Sequence, residues 1–191
     1  MSRTTVYDEM DSLIHLLIFG ESLGERFDAQ LKLRFDYPVA VVVRPIFESF
    51  RSYIRELVMG QRIPRGENYT PFLQFHDGFA QIQFLFWNWH PDEPIIETLV
   101  EMLNDPERHL RALAIVGLGA GNVMWKETSR VEPYLHQGKQ DSDTLICVAS
   151  RFTQDYMQFG EYVQQKTSPD MTMLQRLEQY SAQMITGLIR E

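Results

Sequence analysis

Apolar residues along this chain return at alternating steps of three and four, which places them on one face of an α-helix and on no single face of a strand. Val39, Val43, Ile46, Phe50, Tyr53 and Leu57 keep that beat without interruption, through Pro45. Phe72, Phe75, Phe79, Ile82, Phe86 and Trp89 repeat it, and so do Leu145, Ala149, Phe152, Tyr156, Phe159 and Val163. Shorter helical faces join Tyr7, Met10, Ile14 and Leu17, then Leu23, Phe27 and Leu31, and finally Leu174, Leu177, Met184 and Leu188. Stripes of this kind bury themselves by packing helix on helix, with short connections giving antiparallel neighbours. The chain is therefore expected to be all-α: a compact, irregular bundle of seven or eight helices in a single domain over residues 1–191.

Breaks between the stripes carry helix-terminating chemistry. Thr70-Pro71 offers an N-cap and a first-turn proline, and Ser168-Pro169-Asp170 does the same for the last helix. His90–Pro94 and Asn104–Glu107 each end one helix and start another, while Asp141 or Ser142 can cap a long one. Gln61–Asn68 reads as a loop, and Lys126–Gln140 as polar and irregular with a short turn at Pro133–Leu135. Two places admit strands. Leu31–Phe35 could pair with Val39–Val43, because Leu31, Leu33 and Phe35 alternate. Asp77-Gly78 could turn a hairpin, although the six-residue stripe around it favours a helix. Val39–Leu57 is read as one helix kinked at Pro45.

Residues 94–121, PIIETLVEMLNDPERHLRALAIVGLGAG, resemble a HEAT-type helical repeat, once only. In that family a first helix ends at an Asp-Pro turn, and a second carries a Val-Arg-like pair, small residues and a terminal Leu-Gly. Asp105-Pro106, Leu110-Arg111, Ala114 and Leu118-Gly119 occupy those places here. The resemblance implies a helical hairpin, a lock between Asp105 and Arg111, and protein binding rather than catalysis.

Charge and cysteine content narrow the partners. Residues 1–66 hold nine acidic and nine basic side chains, so the net charge of −8 arises in the remainder of the chain. An acidic surface disfavours non-specific nucleic-acid binding. The single cysteine, Cys147, excludes an internal disulfide and any CxxC metal or redox site, and its apolar neighbours predict a buried, inert thiol. No apolar run approaches the roughly 20 residues of a membrane span. Asp8, Glu9 and Asp11 do not fit a secretory signal. A cytoplasmic protein is expected, with no membrane partner.

Motifs for chemistry are sparse. Gly117–Asn122, GLGAGN, lacks the last glycine of a dinucleotide loop and follows a helix, so it reads as a helix C-terminus. His76-Asp77, with its apolar lead-in Leu73–Phe75, resembles the paired ligands of HD-type metal phosphohydrolases. That resemblance implies a divalent metal that activates water against a phosphate ester. His15 would be a further ligand, and Asp141, Asp143 or Asp155 the last. Arg44, Arg51 and Arg55 share one helical face, with Arg62 beyond, and could hold carboxylates or phosphates bidentately. Glu48 and Glu56 interleave with them, so internal ion pairs are the competing account. Trp87 and Trp89, beside Phe84–Phe86, cover more than one helix face and mark either core or an interface.

Taken together, the residues favour a non-catalytic protein-binding or assembly function through a helical interface. The candidate contacts are Arg44, Arg51, Arg55, Arg62, Trp87 and Trp89. No cofactor is expected, and a protein partner or a homo-oligomer is. The alternatives are an HD-like phosphohydrolase built on His15, His76 and Asp77, and a nucleic-acid-binding or coat-type protein that uses the arginine face.

Overall fold

The structure, a computed structural model, describes residues 3–60, 70–89, 94–125, 128–165 and 168–190. Among them are nine helices and no strand. In chain order they are α1 (Arg3–Phe19), α2 (Leu23–Asp36), α3 (Val39–Val58), α4 (Pro71–Trp89), α5 (Ile95–Met102), α6 (Arg108–Trp125), α7 (Thr128–Gly138), α8 (Thr144–Gln165) and α9 (Met171–Ile189). The all-α expectation holds, with one helix more than the upper count. No described helix is long and apolar enough to cross a membrane.

Residues 31–43 form no strand pair. Ser22 and Glu25 close a reciprocal capping box that starts α2. The helix runs to Asp36 and stops where Pro38 forces Tyr37 into extended backbone. Pro38 then serves as the N-cap of α3, which continues through Pro45 to Val58. At its end Gly60 takes a φ of 70°, where a side chain would be strained, and its N–H donates to Leu57 O.

The polar stretch Lys126–Gln140, expected to be irregular, is for the most part α7. Val131 and Leu135 supply a narrow buried stripe, too short to register as periodicity. The glycines of residues 117–121 do not end a helix either. Gly117, Gly119 and Gly121 all lie inside α6, which reaches Trp125. Gly119 serves close approach: a Cβ there would sit 2.0 Å from Thr153 Cγ2 of α8. Asp77-Gly78 likewise lies within α4, where a Cβ on Gly78 would sit 2.5 Å from Tyr53 Cε1 of α3.

The centre of the bundle is α6, buried continuously from Ala112 to Gly121. It packs most extensively on α8, and also meets α3, α4, α5 and α7. Phe47, Phe50, Phe75, Phe79, Phe86 and Phe152 form the bulk of the core around it. Their rings meet mostly edge to face, as at Phe50 and Phe75, 5.3 Å apart. Helix α2 lies at the margin and packs on α1 and, less extensively, on α4.

Candidate functional site

Two of the arginines on α3 are engaged inside the protein. Arg44 meets three carboxylates: Glu48 at 3.1 Å, Glu107 at 2.7 Å, and Asp105 in a close contact. Arg51 donates from Nε to Leu188 O at 2.7 Å, which satisfies a carbonyl at the end of α9. Arg55 lies in the last turn of α3 and pairs with no described carboxylate. Arg62 is outside the described residues. The first two therefore tie α3 to the α5–α6 turn and to α9.

The α5–α6 turn itself is knitted by the same groups. Asp105 Oδ1 accepts from Glu107 N at 2.9 Å, while Arg111 donates to the carbonyls of Asp105 and Pro106 at 2.8 and 3.2 Å. Arg111 also approaches Asp143 at 3.5 Å. Asp105 and Arg111 thus meet through the backbone, and the Asp105 carboxylate turns instead to Arg44.

His76 is half-buried on α4. It stacks against Phe72, with ring centroids 5.6 Å apart. Tyr156 Oη lies 2.8 Å from His76 Nδ1 and 2.8 Å from Gln83 Oε1. Gln83 in turn donates from Nε2 to Ala120 O at 3.3 Å, which orients its amide. The one Tyr156 hydroxyl proton therefore goes to Gln83, and His76 must donate from Nδ1 to Tyr156. Burial holds His76 below its ordinary pKa, opposed by the neighbouring Asp77 carboxylate. Burial also raises the Tyr156 pKa far above that of a free phenol, opposed by its bond to Gln83. The result is a neutral hydrogen-bonded chain that runs from His76 on α4 to Tyr156 on α8, back to Gln83 on α4, and on to the backbone of α6.

The metal constellation drawn from the sequence does not assemble. His15 is exposed on α1 and stacks on Phe19, with centroids 4.7 Å apart. Asp143 caps α8 through Leu145 N at 2.9 Å, and Asp155 pairs with Arg176 at 2.7 Å. Among the described residues no three His, Cys, Asp or Glu side chains form a group that could hold a metal ion. Cys147 is half-buried rather than buried, and its thiol donates to Lys139 O at 3.3 Å.

Of the tryptophans, Trp87 is half-buried and donates from Nε1 to Ala120 O at 2.9 Å. It stands edge-on to Phe84, which is exposed. The Trp89 side chain lies outside the described residues. A groove of about 570 Å³ between α8 and α9 is rimmed by Arg108 and Arg190 over Leu145 and Val148. Its described lining holds no carboxylate, histidine or cysteine.

The surface that sequence reasoning missed is α2. Leu23, Phe27, Leu31 and Phe35 follow one another at steps of four. Leu23 is 76% exposed, Phe27 54% and Phe35 72%. The face turned inward is Ala29, Gln30 and Leu33. Gln30 is 4% exposed, and among the described residues its Nε2 has no hydrogen-bond partner. Leaving a buried donor unpaired costs about 1–3 kcal/mol. The helix therefore presents its largest apolar groups to solvent and an unsatisfied amide to the core. The signal is present in the sequence as a stripe, but periodicity does not say which way a stripe faces. Compared with known proteins, the chain matches no family model, no curated protein and no solved structure.

Proposed function

We propose that the protein is a non-catalytic docking or assembly protein, and that it binds another polypeptide through the outward face of α2. The observation that carries this reading is the inversion of α2: three large apolar side chains out, one unsatisfied glutamine in. Local and global preferences agree through most of a foldable sequence, and conflicts concentrate where function demands them. A row of exposed Leu and Phe on one helix is the pattern that helix-docking interfaces bury. Helix α3 is the weaker candidate, because Arg44 and Arg51 already have partners inside the chain.

The test is native mass spectrometry of the protein purified gently from its host, alongside the Phe27→Asp/Phe35→Asp variant. Added polypeptide mass on the wild type that is lost in the variant supports the reading. A bare 22.4 kDa chain in both overturns it. Both side chains point outward, so the variant keeps the far-ultraviolet circular dichroism of the wild type.

A further inference from the structure

We propose that the groove between α8 and α9 binds a small aliphatic carboxylate, with its anionic head between Arg108 and Arg190 and its chain over Leu145 and Val148. The site is independent of the docking reading above and adds a ligand to it.

Charge at the rim selects an anion. Arg108 opens α6 and is half-buried; Arg190 follows α9 and is exposed. Among the described residues neither forms an ion pair, although the chain as a whole carries a net charge of −8. The described carboxylates next to the groove are already engaged. Glu107, beside Arg108, meets Arg44 at 2.7 Å and His109 at 3.1 Å. Asp143, beside Thr144, accepts from Leu145 N at 2.9 Å and approaches Arg111 at 3.5 Å. Glu191, which follows Arg190 in the sequence, lies outside the described residues. Two guanidiniums without an internal partner thus share one groove, and their planar forks match a carboxylate bidentately.

The floor selects an aliphatic chain. Leu145 and Val148 form it from α8, and Ala182 and Gly187 line it from α9. A Cβ on Gly187 would sit 2.7 Å from Leu145 Cδ1, so the glycine sets how closely the two walls approach. The described lining contains no aromatic ring on which a base could stack, which disfavours a nucleotide. It is also too short on one side for a docked helix. The α8 wall runs from Thr144 to Val148, about 6 Å or one turn, whereas helix-in-groove recognition reads anchors across two. A volume of about 570 Å³ lies in the range of small-molecule sites.

Methyl-resolved nuclear magnetic resonance on the full chain tests the proposal, with decanoate as the ligand below its micelle-forming concentration. Decanoate is expected to shift the Leu145 and Val148 methyls at low-millimolar concentration or below. Decanol, which keeps the tail and loses the charge, should bind about tenfold more weakly or worse, and acetate, which keeps only the head, weaker still. Arg108→Gln/Arg190→Gln should lose about tenfold or more in affinity for decanoate and little for decanol. Ala182→Trp, at an exposed position, should fill the groove and weaken both. Glu191→Gln should bind decanoate at least as tightly as the wild type. No shift of the Leu145 and Val148 methyls overturns the proposal, as does decanol binding equal to decanoate. Shifts confined to Leu23 and Leu31 overturn it too, because they would place the amphiphile on α2. The comparison of decanoate with decanol on the wild type stands whether or not the arginine variants fold.

Discussion

Helices α2 and α3 are consecutive, each carries an apolar stripe at helical spacing, and the two stripes face opposite ways. Every member of the α3 stripe, from Val39 to Leu57, is at most 7% exposed. In α2 the equivalent stripe lies largely in solvent. The difference is one of place. Helix α3 is enclosed by α1, α4, α5, α6 and α9, so a wide apolar face finds partners. Helix α2 has α1 and α4 beside it and can bury only one narrow face. That face is Ala29, Gln30 and Leu33, with only Leu33 a large apolar group. A stripe specifies a helix, while the neighbours of that helix decide what the stripe is for.

Truncation of one ring on each helix should give the largest contrast. Phe50→Ala should cost about 3–5 kcal/mol in urea unfolding, as large core truncations do. Phe27→Ala should cost under about 0.5 kcal/mol at concentrations where the protein is monomeric. Equal losses would mean that α2 is buried within the protomer in solution. Glycines give the next contrast. Gly119→Ala drives a methyl into Thr153 and should cost about 1–3 kcal/mol. Thr153→Ser, which deletes the Thr153 methyl, should recover part of the loss in a double-mutant cycle. Gly24→Ala meets nothing closer than Ser22 Oγ at 4.0 Å and should stabilise by about 0.5 kcal/mol.

Gln30→Met probes the inner side of α2. It replaces an unsatisfied amide with an apolar group of similar length, and should raise stability by about 1 kcal/mol. A loss would show that Gln30 is hydrogen-bonded in solution. The smallest effect is one of pH, and it separates α2 from the α4–α8 contact by window. His76 is held neutral by burial, so the unfolded chain takes up its proton first. Stability present above its ordinary value of 6.5 is therefore lost as pH falls below it, until the folded-state pKa is passed. In α2 the Glu25 carboxyl is lowered by the backbone and side-chain hydrogen bonds of Ser22. Its contribution is complete above the ordinary 4.5 and is lost only as pH falls through the lowered value. Hydrogen exchange between pH 7.5 and 4 should show α4 and α8 loosening before the first turn of α2. The reverse order would contradict the neutral chain through Tyr156.

The candidate site is legible in the sequence only in part. Leu23, Phe27 and Leu31 announce a helix, and Phe35 continues the row, but nothing in their spacing marks them as exposed. The arginines of α3 stand out as a charged face, and Glu48 already hints that they are paired. Asp105 and Glu107, more than 60 residues away, complete that pairing. No local signal ties them to Arg44. The His76–Tyr156–Gln83 chain joins residues 80 and 73 positions apart, so only packing brings it together.

Spacing, caps and prolines by themselves determined that this chain is helical and, at most junctions, where its helices start and stop. Those features act within a few residues, through backbone sterics and the 3.6-residue turn, so they can be read along the chain. Glycine had to wait for the tertiary structure: at Gly119 it lets α6 approach α8, and at Gly60 it ends α3. The direction of the α2 stripe also had to wait. The angle between two side chains on one helix is a property of the sequence, but the angle at which another helix arrives depends on every element that packs before it.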